Sequence, residues 1–175
     1  MTPADIIQSI IAFVRDNQHW TIVIVGLLAF GESLAVVSLL LPATAILLGI
    51  GALIGAGGVA FWPVWVAAVI GAFLGDWLSY VIGRKLGWRI VQIWPLRRRP
   101  DIVMNGHAFF ERWGLWSVFI GRFFGPLRAI VPLIAGICAM PPLPFMIGNL
   151  LSALLWAFGM LAPGAFGIRW LEGLL

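Results

Sequence analysis

The sequence predicts an all-α membrane protein built as an inverted repeat. Each repeat is expected to contain a broken re-entrant helical hairpin and then a transmembrane helix, with amphipathic helices at the membrane interface. Of the 175 residues, 62% are hydrophobic and only 10% are charged, against about 25% charged in soluble domains. Prolines interrupt two long apolar runs, and a short polar pattern recurs in both halves. We therefore expect a single membrane domain over residues 1–175.

The first repeat, residues 1–87, begins with an amphipathic segment. Isoleucines near helical spacing over residues 3–18 predict a helix that lies in the interface. The apolar run 20–58 contains one acid, Glu32, and is broken at Pro42. It predicts either a tilted span plus a half helix or a re-entrant hairpin. About 15 Å of helix from the acid to the proline, half the hydrocarbon thickness, favours the hairpin.

Residues 61–83 predict a full transmembrane span. Gly71 and Gly75 form a G-x-x-x-G pattern, which permits close helix contact. Asp76, Tyr80 and Arg84 follow at spacings of four and form one polar stripe. Two interpretations of Asp76 stay open at this point: a structural partner for an arginine inside the bundle, or a substrate-site residue.

Residues 88–115 predict a basic loop with a second interfacial helix over 101–113. Seven of the eleven Lys and Arg lie between positions 84 and 112, which makes this segment cytoplasmic by the positive-inside rule. Its position between apolar spans indicates a topology signal and contact with anionic headgroups, so nucleic acid is not an expected partner.

The second repeat, residues 116–167, contains a hairpin at 117–137 and a span at 145–161. Arg122 and Arg128 lie in this otherwise apolar hairpin, and each arginine deep in a bilayer costs roughly 3 kcal/mol. Six residues apart, they would face directions about 120° apart on an unbroken helix. A break lets both guanidiniums converge on a substrate site. The alternative is that both snorkel to the headgroups. The predicted interruptions are Gly125, Pro126 and Pro132.

An internal repeat supports this organisation. Glu32 and Pro42 recur as Arg122 and Pro132 at an offset of ninety residues, and the pair Gly71-Ala72 recurs as Ser152-Ala153 at eighty-one. One net crossing per unit would place the second copy upside down relative to the first. Inverted repeats place their broken elements face to face at mid-membrane.

Few residues here suit metal or enzyme chemistry. Cys138 is the only cysteine, and the two histidines have no ligand cluster nearby in the sequence. The sequence contains no G-x-S-x-G or H-E-x-x-H motif. We therefore expect no enzyme activity, no cofactor and no metal site. A cleaved signal peptide is also not expected, because the first apolar run is short and flanked by acids.

The motifs resemble those of the DedA family, whose shared region is also called the VTT or SNARE-associated domain. The first motif is R-F-x-G-P-L-R-x-x-x-P-x-x-A-G from Arg122 to Gly136, and the second is G-A-x-x-G-D-x-x-x-Y-x-x-G-R from Gly71 to Arg84. The resemblance runs from about Trp20 to Gly167. It implies an inner-membrane protein with two re-entrant hairpins that enter from opposite faces.

The resemblance also implies function and site residues. Bacterial members are tied to proton-dependent transport and to recycling of undecaprenyl phosphate, and eukaryotic relatives are phospholipid scramblases. Glu32 matches the family's essential acid, and Arg122 and Arg128 match its two essential arginines. Asp76 and Tyr80 match the glycine-rich motif of the central span.

Two features depart from the family pattern. Thr44 stands where members have an acid after Pro42, which weakens the case for proton coupling. The sequence ends without the final spanning helix common in the family, so we expect its C-terminus on the side opposite the basic loop.

The leading hypothesis is movement of an anionic lipid phosphate, with Arg122 and Arg128 as a bidentate clamp. Glu32 would contribute to binding and, with Asp76, to proton coupling. Residues expected to support this site are Pro42, Thr44, Tyr80, Gly125, Pro126 and Pro132. The alternatives are proton-coupled efflux of small cations or drugs on the two carboxylates, or a structural membrane protein. Candidate partners are the lipid, protons and a second copy of the chain.

Overall fold

The described part of the protein is helical, with turns between the helices and no strand. In the computed structural model, the described residues are 16–34, 43–56, 59–87, 89, 108–124, 128 and 130–172. Most of the helix predicted over 3–18 lies outside these ranges, as do the arginine-rich run and the start of the helix predicted over 101–113. Pro42, Gly125 and Pro126 also lie outside the described residues.

Six helices have defined bounds. They are α1 Gln18–Ser33, α2 Ala43–Gly55, α3 Phe61–Leu86, α4 Leu115–Gly121, α5 Ile130–Ile137 and α6 Pro142–Glu172. Residues 108–113 form a further helical stretch before α4.

Two of these helices are long and apolar enough to cross a membrane. Their candidate spans are Phe61–Leu86 and Pro142–Gly167, each of 26 residues, with mean hydropathy 1.6 and 1.8. At about 1.5 Å per residue each is roughly 39 Å long, more than the hydrocarbon core. The large side chains that α3 and α6 leave exposed include Trp62, Ile70 and Leu155, an apolar surface suited to lipid.

The last helix is longer than predicted. The sequence predicted a span over 145–161, but α6 runs from Pro142 to Glu172 and continues through Pro163. A Cβ at Gly164 would lie 2.5 Å from the carbonyl carbon of Gly51. The glycine therefore lets α6 lie directly against the α2 backbone in the turn that contains Pro163.

The other helices are short and come in two pairs. The first pair is α1, of 16 residues, and α2, of 13. The second pair is α4, of 7 residues, and α5, of 8. None reaches the roughly 20 residues that a perpendicular span needs.

The short helices pack on the long ones in a reciprocal pattern. Helix α1 packs along α3, and α4 packs on α6, so each first arm contacts the long helix of its own half. Helix α2 packs on α6 and α5 packs on α3, so each second arm contacts the long helix of the other half. The two halves are therefore interlocked.

Glycines make these contacts close. A Cβ at Gly71 or Gly75 would collide with backbone carbonyls of α1, and one at Gly136 would collide with the backbone of α3 at Tyr80. Missing side chains thus let helix backbones touch, as is usual in membrane bundles.

A polar layer separates two apolar clusters along α3. Val64, Ala68 and Ala72 belong to a cluster shared with α1, α2 and α6. About two turns after Ala72, Tyr80 belongs to a second cluster shared with α5 and the start of α6. Asp76 lies between these clusters, and the candidate site is built around it.

Candidate functional site

Two buried acids come from different helices. Glu32 lies in the last turn of α1 and is 2% exposed, and Asp76 lies near the middle of α3 and is 5% exposed. A buried carboxylate is expensive unless a cation and hydrogen bonds compensate it. Both acids therefore require partners, and each has an arginine.

Arg122 is the partner of Asp76. It follows the end of α4 directly, and its guanidinium forms a buried ion pair with the Asp76 carboxylate. The same guanidinium nitrogen donates to the side-chain oxygen of Asn149 on α6 at 3.1 Å. Asn149 is fully buried and is fixed by a 3.0 Å hydrogen bond from its amide to the carbonyl of Phe73. One guanidinium thus joins α3, α4 and α6.

Arg128 is the partner of Glu32. It lies in the segment between α4 and α5 and forms an ion pair with the Glu32 carboxylate at the end of α1. Its side chain is 20% exposed, against 6% for Arg122. Arg128 is therefore the outer of the two arginines, and Arg122 is the inner one.

Trp156 connects the two pairs. Its ring centroid lies 5.9 Å from the guanidinium carbon of Arg122 and 5.5 Å from that of Arg128. Both distances lie within the range in which a cation is attracted to an aromatic face. The two arginines that the sequence placed in one broken hairpin therefore converge on a single indole ring.

A small cavity lies among these groups. Its lining residues are Ser33, Asp76, Arg122, Arg128 and Trp156. It has room for about one water molecule. Two guanidiniums and the Asp76 carboxylate line this space, and Glu32 pairs with one of those guanidiniums, so the formal charges of the four groups cancel. The arrangement is a charge-balanced site in which carboxylates pair with both guanidiniums, the groups that an external anion would need.

The remaining predicted residues lie elsewhere or outside the described part. Tyr80 is one turn from Asp76 but belongs to a separate network: its hydroxyl donates to the Met140 carbonyl at 2.5 Å and accepts from Arg84 at 2.7 Å. Pro132 was predicted to interrupt the hairpin, but it lies buried in the first turn of α5, where a proline removes no intrahelical hydrogen bond. Thr44 lies in α2, and nothing is described of its side chain.

Sequence reasoning missed three residues of the site, Ser33, Asn149 and Trp156. Asn149 had a usable signal, because it is the only asparagine of the last span and polar residues inside spans are costly. Trp156 had one as well, since tryptophans prefer the membrane interface and this one lies in the middle of α6. Ser33 had no signal beyond its position next to Glu32.

Metal binding has no support in the described residues. Among them, no group of three or more His, Cys, Asp and Glu side chains is placed to hold an ion. The chemistry that the site offers is recognition of an anion by guanidiniums, under competition from two carboxylates.

Comparison with known proteins identifies relatives of this chain. The VTT domain matches residues 41–166. The inner membrane protein YabI of Escherichia coli K12 is 36% identical over 157 residues, which is 87% of this chain and 60% of YabI. The inner membrane protein YghB of the same organism is 37% identical over 117 residues, 66% of this chain and 53% of YghB. An uncharacterized membrane protein of Mycobacterium tuberculosis, MT2715, is 36% identical over 127 residues.

These relatives agree on location and leave activity open. Their names describe them as membrane proteins and mention no enzymatic activity. This chain spans about 60% of the length of the first relatives it matches, and no solved structure matches it. The family match covers most of the chain and includes both arginines, Asp76 and Trp156. The chain is therefore an inner membrane protein and belongs to the VTT domain family, the family of the DedA proteins.

Proposed function

We propose that this protein moves an anionic lipid phosphate, undecaprenyl phosphate or a phospholipid, across the bilayer. The observation that carries the proposal is the convergence of Arg122 and Arg128 on one buried indole ring. Guanidiniums bind phosphate through paired hydrogen bonds, which are strong where water is excluded. Two such groups gathered at one point form a clamp for a single phosphate headgroup.

The reciprocal helix packing supports an inverted-repeat transporter. We infer that α1 with α2, and α4 with α5, form two re-entrant hairpins that enter from opposite faces. The second arm of each hairpin packs on the long helix of the other half, which is the contact pattern expected of two units related by a twofold axis. Such an axis would pass near the arginines and place the clamp at the interface between the repeats, where transporters of this kind bind substrate.

The geometry corresponds to a substrate-free state. The cavity has room for about one water molecule, and Glu32 and Asp76 occupy the two guanidiniums. An incoming phosphate has to displace these carboxylates. Because Arg128 is the more exposed arginine, we infer that the phosphate exchanges first with Glu32 and that the inner Asp76 pair opens second.

We infer from the charge balance of the site that displacement of the carboxylates by phosphate is coupled to proton uptake. A phosphate monoester carries about −1.5 to −2 charges at neutral pH, and the four site residues sum to zero. Adding the ligand would leave a large net negative charge in a place of low dielectric, where unpaired charge is costly. Protonation of Glu32, Asp76 or both removes that charge. Proton uptake is therefore the expected companion of phosphate binding.

Cation efflux is the weaker hypothesis. It requires Glu32 and Asp76 to be available to a cationic substrate, whereas both pair with arginines. A cation entering this site would also meet two guanidiniums at short range. The described residues therefore favour an anion.

Transport by purified protein in liposomes tests the proposal. We expect Arg122→Lys and Arg128→Lys each to lower lipid phosphate movement roughly ten- to hundredfold, because a lysine does not reproduce the guanidinium fork and hydrogen bonds to charged groups are worth about 1.5–3 kcal/mol. Arg112→Lys, at an exposed arginine, is the matched control and should retain activity. Full activity of both site variants, or transport of a cationic dye in place of lipid phosphate, would contradict the proposal.

A further inference from the structure

The indole N–H of Trp156 donates no hydrogen bond to the described residues around it. The side chain is 5% exposed and lines the cavity between the two arginines. Its Nε1–H is buried and has no hydrogen-bond acceptor among the described residues. An indole N–H is a donor only, and a buried donor without an acceptor is uncommon in folded proteins.

A second tryptophan shows how the same fold provides a hydrogen-bond acceptor for an indole N–H. Trp65, on the neighbouring α3, is partly buried and donates its Nε1–H to the Leu154 carbonyl at 3.3 Å. Leu154 lies on the same helix as Trp156, two residues before it. The bundle therefore provides a backbone acceptor where an indole has only a structural role.

The surroundings of Trp156 indicate what the missing acceptor would be. Its ring already contacts both guanidinium carbons, within 6 Å. An anion held by these guanidiniums would therefore lie within a few ångströms of the indole. A lone cation would gain nothing from an N–H donor, whereas a phosphate oxygen is an acceptor of the right charge.

We propose that Trp156 contacts the transported lipid directly and donates its indole N–H to an oxygen of the phosphate bound by Arg122 and Arg128. This inference rests on the proposed function and adds a residue to it. The ring orients the two guanidiniums, and the N–H supplies a donor from α6, a different helix from those next to the arginines. The phosphate is then held by two separate parts of the second repeat, the segment that carries the arginines and α6.

The role of the N–H can be separated from that of the ring. Trp156→Phe keeps an aromatic face for the arginines and removes the N–H donor together with part of the ring system, a loss that the Trp65→Phe control shares. We expect it to weaken binding of monododecyl phosphate, in neutral detergent micelles, about tenfold or more, because the acceptor is charged. Trp65→Phe removes an indole that is already satisfied by the backbone, and it should bind the phosphate as tightly as the unmodified chain.

A spectroscopic measurement on the unmodified chain makes the test independent of variant stability. With ¹⁵N-labelled tryptophan, the indole N–H resonance of Trp156 is identified by its absence in Trp156→Phe. We expect monododecyl phosphate to move this proton resonance downfield, as a new hydrogen bond to an anion requires. Dodecanol, which lacks the phosphate, should leave it in place, and the Trp65 resonance should not move with either ligand.

The possible failures are distinguishable. If the unmodified chain binds monododecyl phosphate no better than dodecanol, the proposed function itself is wrong. If it binds the phosphate but the Trp156 resonance does not move, or if Trp156→Phe binds as tightly, the phosphate clamp stands and the role of the indole is refuted.

Discussion

Arg122 and Asp76 form an ion pair in which each side chain is only 6% exposed, between two apolar clusters of the helix bundle. Asn149 accepts a further hydrogen bond from the same guanidinium at 3.1 Å. Neither charge has access to bulk water, so each depends on the other. We therefore expect the pair to behave as one unit in folding.

Removal of one partner should cost more than removal of both. Arg122→Leu or Asp76→Leu leaves a single buried charge, and we expect each to destabilise the fold by about 3–5 kcal/mol. The double variant Arg122→Leu/Asp76→Leu replaces the pair by apolar side chains and should recover most of that stability. A double-mutant cycle on the free energy of unfolding in detergent measures this difference. Additive single effects would show that the two charges do not depend on each other.

The sequence predicts best those site residues whose side chains have the highest free-energy cost in an apolar environment. Glu32, Arg122 and Arg128 stand out because a charge inside a membrane is expensive wherever it lies, so its presence alone indicates function. The free-energy cost of placing Asn149 or Trp156 in an apolar environment is smaller. Their role therefore becomes clear only from their positions against the other helices.

The packing of the helices was harder to predict than their existence. Apolar length predicted the long helices. Of the predicted interruptions, Pro132 lies inside α5, and the others lie outside the described residues. The sequence does not say which long helix each short arm contacts, because that choice depends on backbone fit between distant segments. The contact of α2 with α6 is an example: it depends on Gly51 and Gly164, which lie 113 positions apart in the chain.

Alanine substitutions should destabilise the fold at glycines that lie in helix contacts and should not do so at exposed glycines. Gly71→Ala would place a Cβ against the carbonyl of Gly26, and Gly136→Ala would place one against the carbonyl of Tyr80. Since rigid backbone is the obstacle, we expect each variant to lose about 1–3 kcal/mol. Gly159 has no atom within 4 Å of its added Cβ, so Gly159→Ala should gain about 0.5–1 kcal/mol. Thermal unfolding in detergent ranks the three, and equal midpoints would contradict the described packing.

Neutralising the acid that pairs with the more exposed arginine should strengthen phosphate binding. In the ion pair with Arg128, the carboxylate of Glu32 occupies the guanidinium that the ligand needs. Glu32→Gln keeps the shape of the side chain and removes the competing charge, so we expect monododecyl phosphate to bind about tenfold more tightly at neutral pH, a gain of about 1.4 kcal/mol. Glu111→Gln, at an exposed glutamate, is the matched control. Weaker binding by Glu32→Gln than by Glu111→Gln would mean that the acid helps to hold the ligand.

Phosphate binding should become weaker as pH rises. The charged side chains of the described site are Glu32, Asp76, Arg122 and Arg128, with the neutral Ser33 and Asn149 beside them. Their charges sum to zero, so a bound phosphate monoester favours protonation of the carboxylates. The complex then carries more protons than the free protein, and linkage requires affinity to fall with increasing pH.

The phosphate itself titrates near pH 6, and the double variant Glu32→Gln/Asp76→Asn isolates that contribution. We expect titration calorimetry in two buffers of different ionisation enthalpy to report proton uptake for the unmodified chain above pH 7 and none for the double variant. Equal proton uptake by both would place the coupling outside these two acids.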